Sequence, residues 1–429
     1  MRHATKYSQH IGARICCIML AASPVIQSSA GASDTAPETD STQPGQHVWA
    51  RTFGSTRNEN VVDICRTSDG GYVIAGSTAW SNYTKGYAYL LRLSASGEKV
   101  WCRTYGGDKY DAFSGVTETP DRGFIAAGWS KSFGTKGERI YLVKTDPDGV
   151  EQWRRIIGDE SVELAMHIQA TRDGGYVIGG FTGTPGVDRC GGEALTNHRI
   201  LLVKIDGNGQ QEWRCAFGGK DGGMLTSLCP ASDGGFMLVG TCGDLSAGGF
   251  KRGILIKTDG RGNKQFSKVY AGELPMTLVD VKQTRDGGYI AIGSQTEPGA
   301  GPFDIFLLRT DSQGTELWRR TYGTVDFFDV GSSVLETPDG HFVVAGMIQL
   351  THDDAGDLLL MEVDAEGEQI WQRRFADEYV ADAEAYEAWR RYIHRNCVEA
   401  GLVREPEEYL YSSAHPGFEL DSRPEHLRG

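Results

Sequence analysis

No His-Glu-x-x-His, no Gly-x-Ser-x-Gly and no phosphate-cradling glycine loop occurs in the 429 residues. The signatures of zinc peptidases, nucleophile-elbow hydrolases and P-loop enzymes are therefore missing. Cysteine is sparse and never spaced C-x-x-C, so no zinc knuckle or dithiol centre is implied. Of the nine cysteines, Cys16 and Cys17 fall in the N-terminal segment; Cys65, Cys102, Cys190, Cys215, Cys229, Cys242 and Cys397 remain, an odd set expected as thiols scattered on strands. Positive charge is also short: 43 Lys and Arg face 57 Asp and Glu, a net charge of -14, which disfavours a nucleic-acid surface. Helical 3.6-residue periodicity is absent from the body of the chain, which excludes an α-solenoid. The ten histidines show no ligand spacing, and the sequence implies no cofactor and no metal.

Long apolar runs are missing as well. Ile15 to Ile26 is the most apolar stretch, too short to span a bilayer comfortably. With Arg2, Lys6 and Arg14 before it and Ala30-Gly31-Ala32 after it, residues 1–32 have the form of a cleavable export signal. Residues 33–46, rich in Ser, Thr, Pro, Asp and Gln, are expected to be a disordered linker. The mature protein is accordingly expected to be secreted or periplasmic, without a membrane span.

Glycine, in contrast, is abundant at 57 residues, and it is periodic. A turn cassette appears at Asp69-Gly70-Gly71, Asp121-Arg122-Gly123, Asp173-Gly174-Gly175, Asp233-Gly234-Gly235, Asp286-Gly287-Gly288 and Asp339-Gly340-His341. An aromatic keeps the same beat at Trp49, Trp101, Trp153, Trp213, Phe266, Trp318 and Trp371. A repeat of roughly fifty residues marks a repeat architecture. Within one repeat, short runs apolar on both faces lie between tight glycine turns, as strands sandwiched between neighbouring sheets require. Four strands per repeat predict an all-β propeller of six complete blades over residues 47–375, with inner strands near 61–67, 114–119, 166–171, 226–230, 279–284 and 330–337. The segment Val48 to Gly54 is a spare outer strand, so a truncated seven-bladed ring is the alternative closure.

The second hairpin, Asp-x-x-Gly-x-x-x-Trp, recurs as Asp146…Gly149…Trp153, Asp206…Gly209…Trp213, Asp311…Gly314…Trp318 and Asp364…Gly367…Trp371. It resembles the hairpin of pyrroloquinoline-quinone-type propeller repeats. The resemblance implies that Trp101, Trp153, Trp213, Trp318 and Trp371 are structural and dock neighbouring blades. The turn aspartates read as caps of their own backbone rather than as calcium ligands.

After residue 375 the pattern stops. Tyr392-Ile393-His394-Arg395-Asn396-Cys397-Val398-Glu399-Ala400-Gly401-Leu402-Val403 resembles the C-terminal signature of tyrosine transposases associated with repetitive extragenic palindromes, a branch of the IS200-like group. Residues 376–429 are accordingly expected to be a helical tail. The resemblance places Tyr392 at the position of the DNA-attacking tyrosine. The His-hydrophobic-His pair that would hold the metal is absent from the sequence before it, and Cys397 replaces a proline, so no catalytic residue is assigned.

Binding residues favour varied loops on a rigid scaffold. The second-to-third-strand loops offer Trp80, Tyr83, Lys85, Trp129, Lys131, Phe133, Lys136 and His198 as a mixed aromatic and basic face. The expected function is an exported, non-catalytic propeller presenting that face to a protein or glycan. The alternatives are a propeller enzyme, either a quinoprotein oxidoreductase or a glycan-cleaving enzyme, and a DNA-processing protein defined by the tail. If the tail is a remnant, deleting residues 380–429 leaves the melting temperature nearly unchanged; a large drop shows that it is part of the fold.

Overall fold

The computed structural model describes residue 53 and residues 58–375, except 80–84, 134–136, 159–161, 188–192, 219–221, 244–251, 271–274, 297–302, 324–328 and 349–356. The expected leader, the linker, nearly all of the spare strand and the transposase-like tail lie outside the described residues. The rest is all β: six four-stranded antiparallel sheets spanning 58–105, 111–157, 162–217, 224–270, 276–322 and 329–375, each in sequential strand order. These are the six blades of a β-propeller. Inner strands begin one to four residues before their expected starts, for example at Asn58–Arg66 and Asp111–Glu118. The second-to-third-strand loop expected to carry His198, residues 181–199, instead extends the hairpin of Tyr176–Val187 and Glu193–Ile205.

The middle strands are buried on both faces because each sheet lies between two others. In the second blade, Phe124 and Ala126 pack with Val73 and Leu90 of the first. Their sequence neighbours Ile125 and Ala127 pack with Ile178 and Leu201 of the third. Consecutive blades pack in this way from the first to the sixth. Among the described residues, no strand of the sixth sheet packs on the first as those neighbours do.

Each Asp-Gly-Gly turn is closed by its own aspartate. Asp69 Oδ1 accepts from Thr67 Oγ1 at 2.6 Å and Gly71 N at 3.1 Å, and Asp173 and Asp286 repeat the arrangement with Thr171 and Gly175, and Thr284 and Gly288. The Thr67 and Thr171 hydroxyls lead in lowering the pKa of Asp69 and Asp173, each to about 2. A cation from the third strand then meets the carboxylate: Arg92–Asp69 at 2.6 Å, Lys144–Asp121 at 2.8 Å, Lys204–Asp173 at 3.1 Å, Lys257–Asp233 at 2.7 Å and Arg309–Asp286 at 2.5 Å. The last glycine of the cassette makes this possible, since a Cβ at Gly71, Gly123, Gly175, Gly235 or Gly288 would strike the cation's head group and a third-strand carbonyl.

The second hairpin joins blades. Asp146 Oδ1 accepts from Asp148 N and Val150 N at 3.0 and 2.8 Å, and Asp206, Asp259, Asp311 and Asp364 do the same in their turns. The turn glycine holds a left-handed φ, 74° at Gly149, and the preceding blade's aromatic lies against it. A Cβ on Gly149 would come within 2.9 Å of the Trp101 ring; the same approach pairs Gly209 with Trp153, Gly262 with Trp213, Gly314 with Phe266 and Gly367 with Trp318. Trp101 Nε1 and Trp318 Nε1 donate to the Pro147 and Ala365 carbonyls of the next blade, at 3.1 and 2.9 Å. Trp371 departs from this: its indole donates to Glu362 of its own blade. Trp153→Ala should therefore cost about 3 kcal/mol, the low end for a large aromatic because the ring is half-buried, whereas Trp371→Ala should cost clearly less. Equal losses in thermal melts would refute the docking role.

Candidate functional site

Four of the eight expected face residues meet on one rim of the first two blades. Gly86, beside Lys85, bridges to Tyr110 at the entry to the second blade. The Tyr110 ring stacks on Trp129, with centroids 5.2 Å apart and planes 13° from parallel. Tyr110 OH lies 3.0 Å from Ser77 Oγ, which fixes the stack to the first blade. Lys131 Nζ sits 5.9 Å from the centre of the Trp129 ring and 3.2 Å from Glu138, and Lys85 Nζ lies 5.4 Å from the Tyr87 ring. Phe133 continues the surface, tilted against Tyr141 at 5.5 Å and capped by the Arg154 guanidinium at 5.1 Å.

This surface is held from below. Buried Asp111 accepts from Gly107 N at 2.7 Å, from Ser132 Oγ at 2.6 Å and from Ser130 Oγ. One carboxylate thus ties the connection entering the blade to the loop that carries Lys131 and Phe133. Trp80, Tyr83 and Lys136 lie outside the described residues. His198 stands apart on the third blade, half-buried beside Phe181 at 6.1 Å, and burial lowers its pKa. The sequence reading missed Tyr110 altogether.

The axis carries polar residues as well. Each inner strand carries a bulge, and the residue on its far side reads Asp63, Gly115, His167, Ser227, Asp280 and Ser333 in blade order. Asp280 links three blades: Oδ1 accepts from Ser227 Oγ and Val281 N, both at 2.9 Å, and Oδ2 accepts from Ser333 Oγ at 2.9 Å and Val334 N at 3.3 Å. Lys282 Nζ donates to both oxygens at 2.7 and 2.9 Å. Burial alone would raise the Asp280 pKa, but the charge and hydrogen bonds of Lys282 and the Ser333 hydroxyl outweigh it and hold the carboxyl below its usual range.

Asp63 has less support. Its oxygens accept from Ile64 N and Val116 N, each at 2.9 Å, and the serine and lysine positions are filled by Gly115 and Cys65. Burial dominates and raises its pKa, against weaker opposition from His167, the two backbone bonds and Lys282. His167 Nδ1 is itself buried without a hydrogen-bond partner.

The rim of tight turns carries a hollow of ≈ 560 Å³ between the third, fourth and fifth blades. Arg172, Lys204, Cys229, Ser232 and Lys282 are among its walls. Cys65, Cys102, Cys215 and Cys229 carry free thiols on their strands.

No family model matches the chain, and no curated protein matches it in sequence. Solved structures do resemble it. A polysaccharide lyase of the PL25 ulvan lyase family superimposes with a TM-score of 0.51 at 10% identity, over 75% of this chain and 82% of that one. Sqt1 from Chaetomium thermophilum gives 0.44 at 15% identity, covering 74% and 72%. YCF48 bound to D1 peptide gives 0.42 at 15% identity, covering 73% and 81%. At such identities the likeness concerns the fold alone.

The two axial aspartates should respond differently to neutralisation. Asp280→Asn should cost about 2 kcal/mol at neutral pH, because the buried carboxylate gives up its charged hydrogen bonds while Lys282, whose side chain is 42% exposed, recovers part of the loss from solvent. Asp63→Asn should cost much less, since a raised carboxyl pKa means the charged form is penalised in the fold. That penalty is relieved as pH falls through the folded pKa, so the Asp63→Asn difference should shift towards destabilisation in acid. Equal losses at neutral pH would contradict this assignment.

Proposed function

We infer that this protein is an exported propeller that binds a protein or glycan partner across the loop rim of its first two blades, without chemistry of its own. The stacked Tyr110–Trp129 pair, flanked by Lys85 and Lys131, carries the reading. Two half-buried aromatic rings present apolar area at little entropic cost, and aromatics are enriched where partners anchor. The adjacent ammonium groups favour an acidic partner, either an acidic polysaccharide or an acidic peptide segment. The rings are already fixed by Ser77 and Asp111, so little ordering is needed on binding.

The leader-like residues 1–32 support a secreted or periplasmic location, and the tail is read as a non-functional transposase-like remnant. The axial carboxylates do not favour an enzyme, because the bonds of Asp280 are made to the blades themselves.

A glycan microarray that includes acidic polysaccharides, run beside a displayed peptide library, tests the reading. Trp129→Ala and Lys131→Glu should each weaken retained binding roughly tenfold or more, as loss of an interface anchor does. Binding by both variants at wild-type strength would sink the assignment of this face.

A further inference from the structure

The sixth blade breaks the ion-pair pattern at two positions together. Where the other five cassettes end in glycine, it has His341, and where the third strand carries Arg92, Lys144, Lys204, Lys257 or Arg309, it has Glu362. The blade has lost its cation and gained an imidazole and a second carboxylate. His341 Nδ1 lies 2.9 Å from Glu362 Oε1 and 3.4 Å from Asp339 Oδ2.

We propose that Asp339, His341 and Glu362 form a binding site for a divalent transition-metal ion of the zinc type, which takes the place that a Lys or Arg head group fills in the other five blades.

Three features carry this. First, three donor atoms converge while the second oxygen of each carboxylate is engaged elsewhere. Asp339 Oδ1 accepts from Thr337 Oγ1 and Glu362 Oε2 accepts from Trp371 Nε1, which leaves Oδ2, Oε1 and Nδ1 facing one another. Such outer bonds orient metal ligands and tune them. Second, the spacing fits. The three ligand atoms lie within 4.8 Å of one another, and donors about 2.0–2.2 Å from a tetrahedral zinc stand about 3.3–3.6 Å apart.

Third, the charge calls for a cation. Five internal copies of this turn place a positive group against the same aspartate. In the sixth, two carboxylates face one imidazole, and the nearby Arg285 of the preceding blade donates to the Pro338 carbonyl. Binding would displace the proton shared by Nδ1 and Glu362 to solvent. Asp339 is exposed, so water can complete the coordination, as at zinc sites with three protein ligands. The mixed nitrogen and oxygen donor set suits zinc better than calcium. The ion would tie the turn to the third strand as the ion pairs do elsewhere.

Titration of the chelator-treated full chain with zinc chloride, by calorimetry and by thermal melts at fixed pH, tests the site. The wild type should bind one ion here and melt at a temperature that rises with zinc. The double variant His341→Gly/Glu362→Lys restores the pattern of the other five blades, so it should fold and should lose that ion and that rise. His341→Ala alone should weaken binding at least tenfold. No zinc-dependent change at millimolar zinc, or an unchanged stoichiometry and rise in the double variant, would overturn the proposal and leave His341 as an imidazolium partner of the two carboxylates.

Discussion

The contact on which the assembly depends is the approach of an outer-strand aromatic to a glycine in the next blade. A sheet in a propeller has no covalent link to its neighbour except one connection, so its angle must be set by packing. Trp101, Trp153, Trp213, Phe266 and Trp318 each lie over a hairpin whose glycine is doubly constrained: its left-handed φ suits the turn, and its missing Cβ admits the ring. Tyr105 and Tyr322 add a hydroxyl bond to the Gly149 and Gly367 carbonyls, at 2.7 and 2.5 Å. The docks on the Gly149 and Gly367 turns are thus apolar in area and polar in direction, which fixes rotation as well as distance.

The inner ends of the blades are held by a different means. Near the axis the sheets crowd, and a bulge in each inner strand leaves backbone N–H groups out of the ladder. A carboxylate can accept several of these at once, and Asp63 and Asp280 each bond their own strand and the next blade's. Asp280 shows what full support requires, namely two serines and a lysine. Asp63, lacking them, remains a carboxylate whose charge the fold tolerates poorly. Aromatic docking outside and carboxylate bridging inside together define the radial order of the molecule.

Much of this radial order was legible in the chain because it repeats. Turn aspartates, glycines and tryptophans recur at one register, so blade number and strand number followed from counting, and the docking role from the resemblance of the second hairpin. The axial residues stand in register too, six positions before each turn aspartate, but alternation alone does not show that they face the axis. The bulge shifts the alternation by one, so the face a residue presents no longer follows from parity. Tyr110 was missed for another reason: it lies in a connection, and its stacking on Trp129 depends on how two blades approach, which no local pattern encodes. The 181–199 segment misled through its composition. Its glycines and Pro185 spoke for a loop, while pairing across the hairpin, Thr184 with Thr196 and Pro185 with Leu195, held it as a strand.

The sixth blade departs from three rules that the other five keep, and the departures are coupled. Its glycine is His341, its cation is Glu362, and its tryptophan bonds within its own blade. Were residue 362 a lysine, the Trp371 indole would find no acceptor on it, and His341 would collide with the cation's path, as any side chain does at the matching glycines. With Glu362 in place, one carboxylate oxygen satisfies Trp371, which meets no next-blade carbonyl among the described residues, and the other meets His341. The end of the described array has therefore rebuilt its local polar network from the residues at hand. A tryptophan that elsewhere orients a neighbouring blade here orients a carboxylate, and that carboxylate faces the one imidazole to have entered a turn of this type.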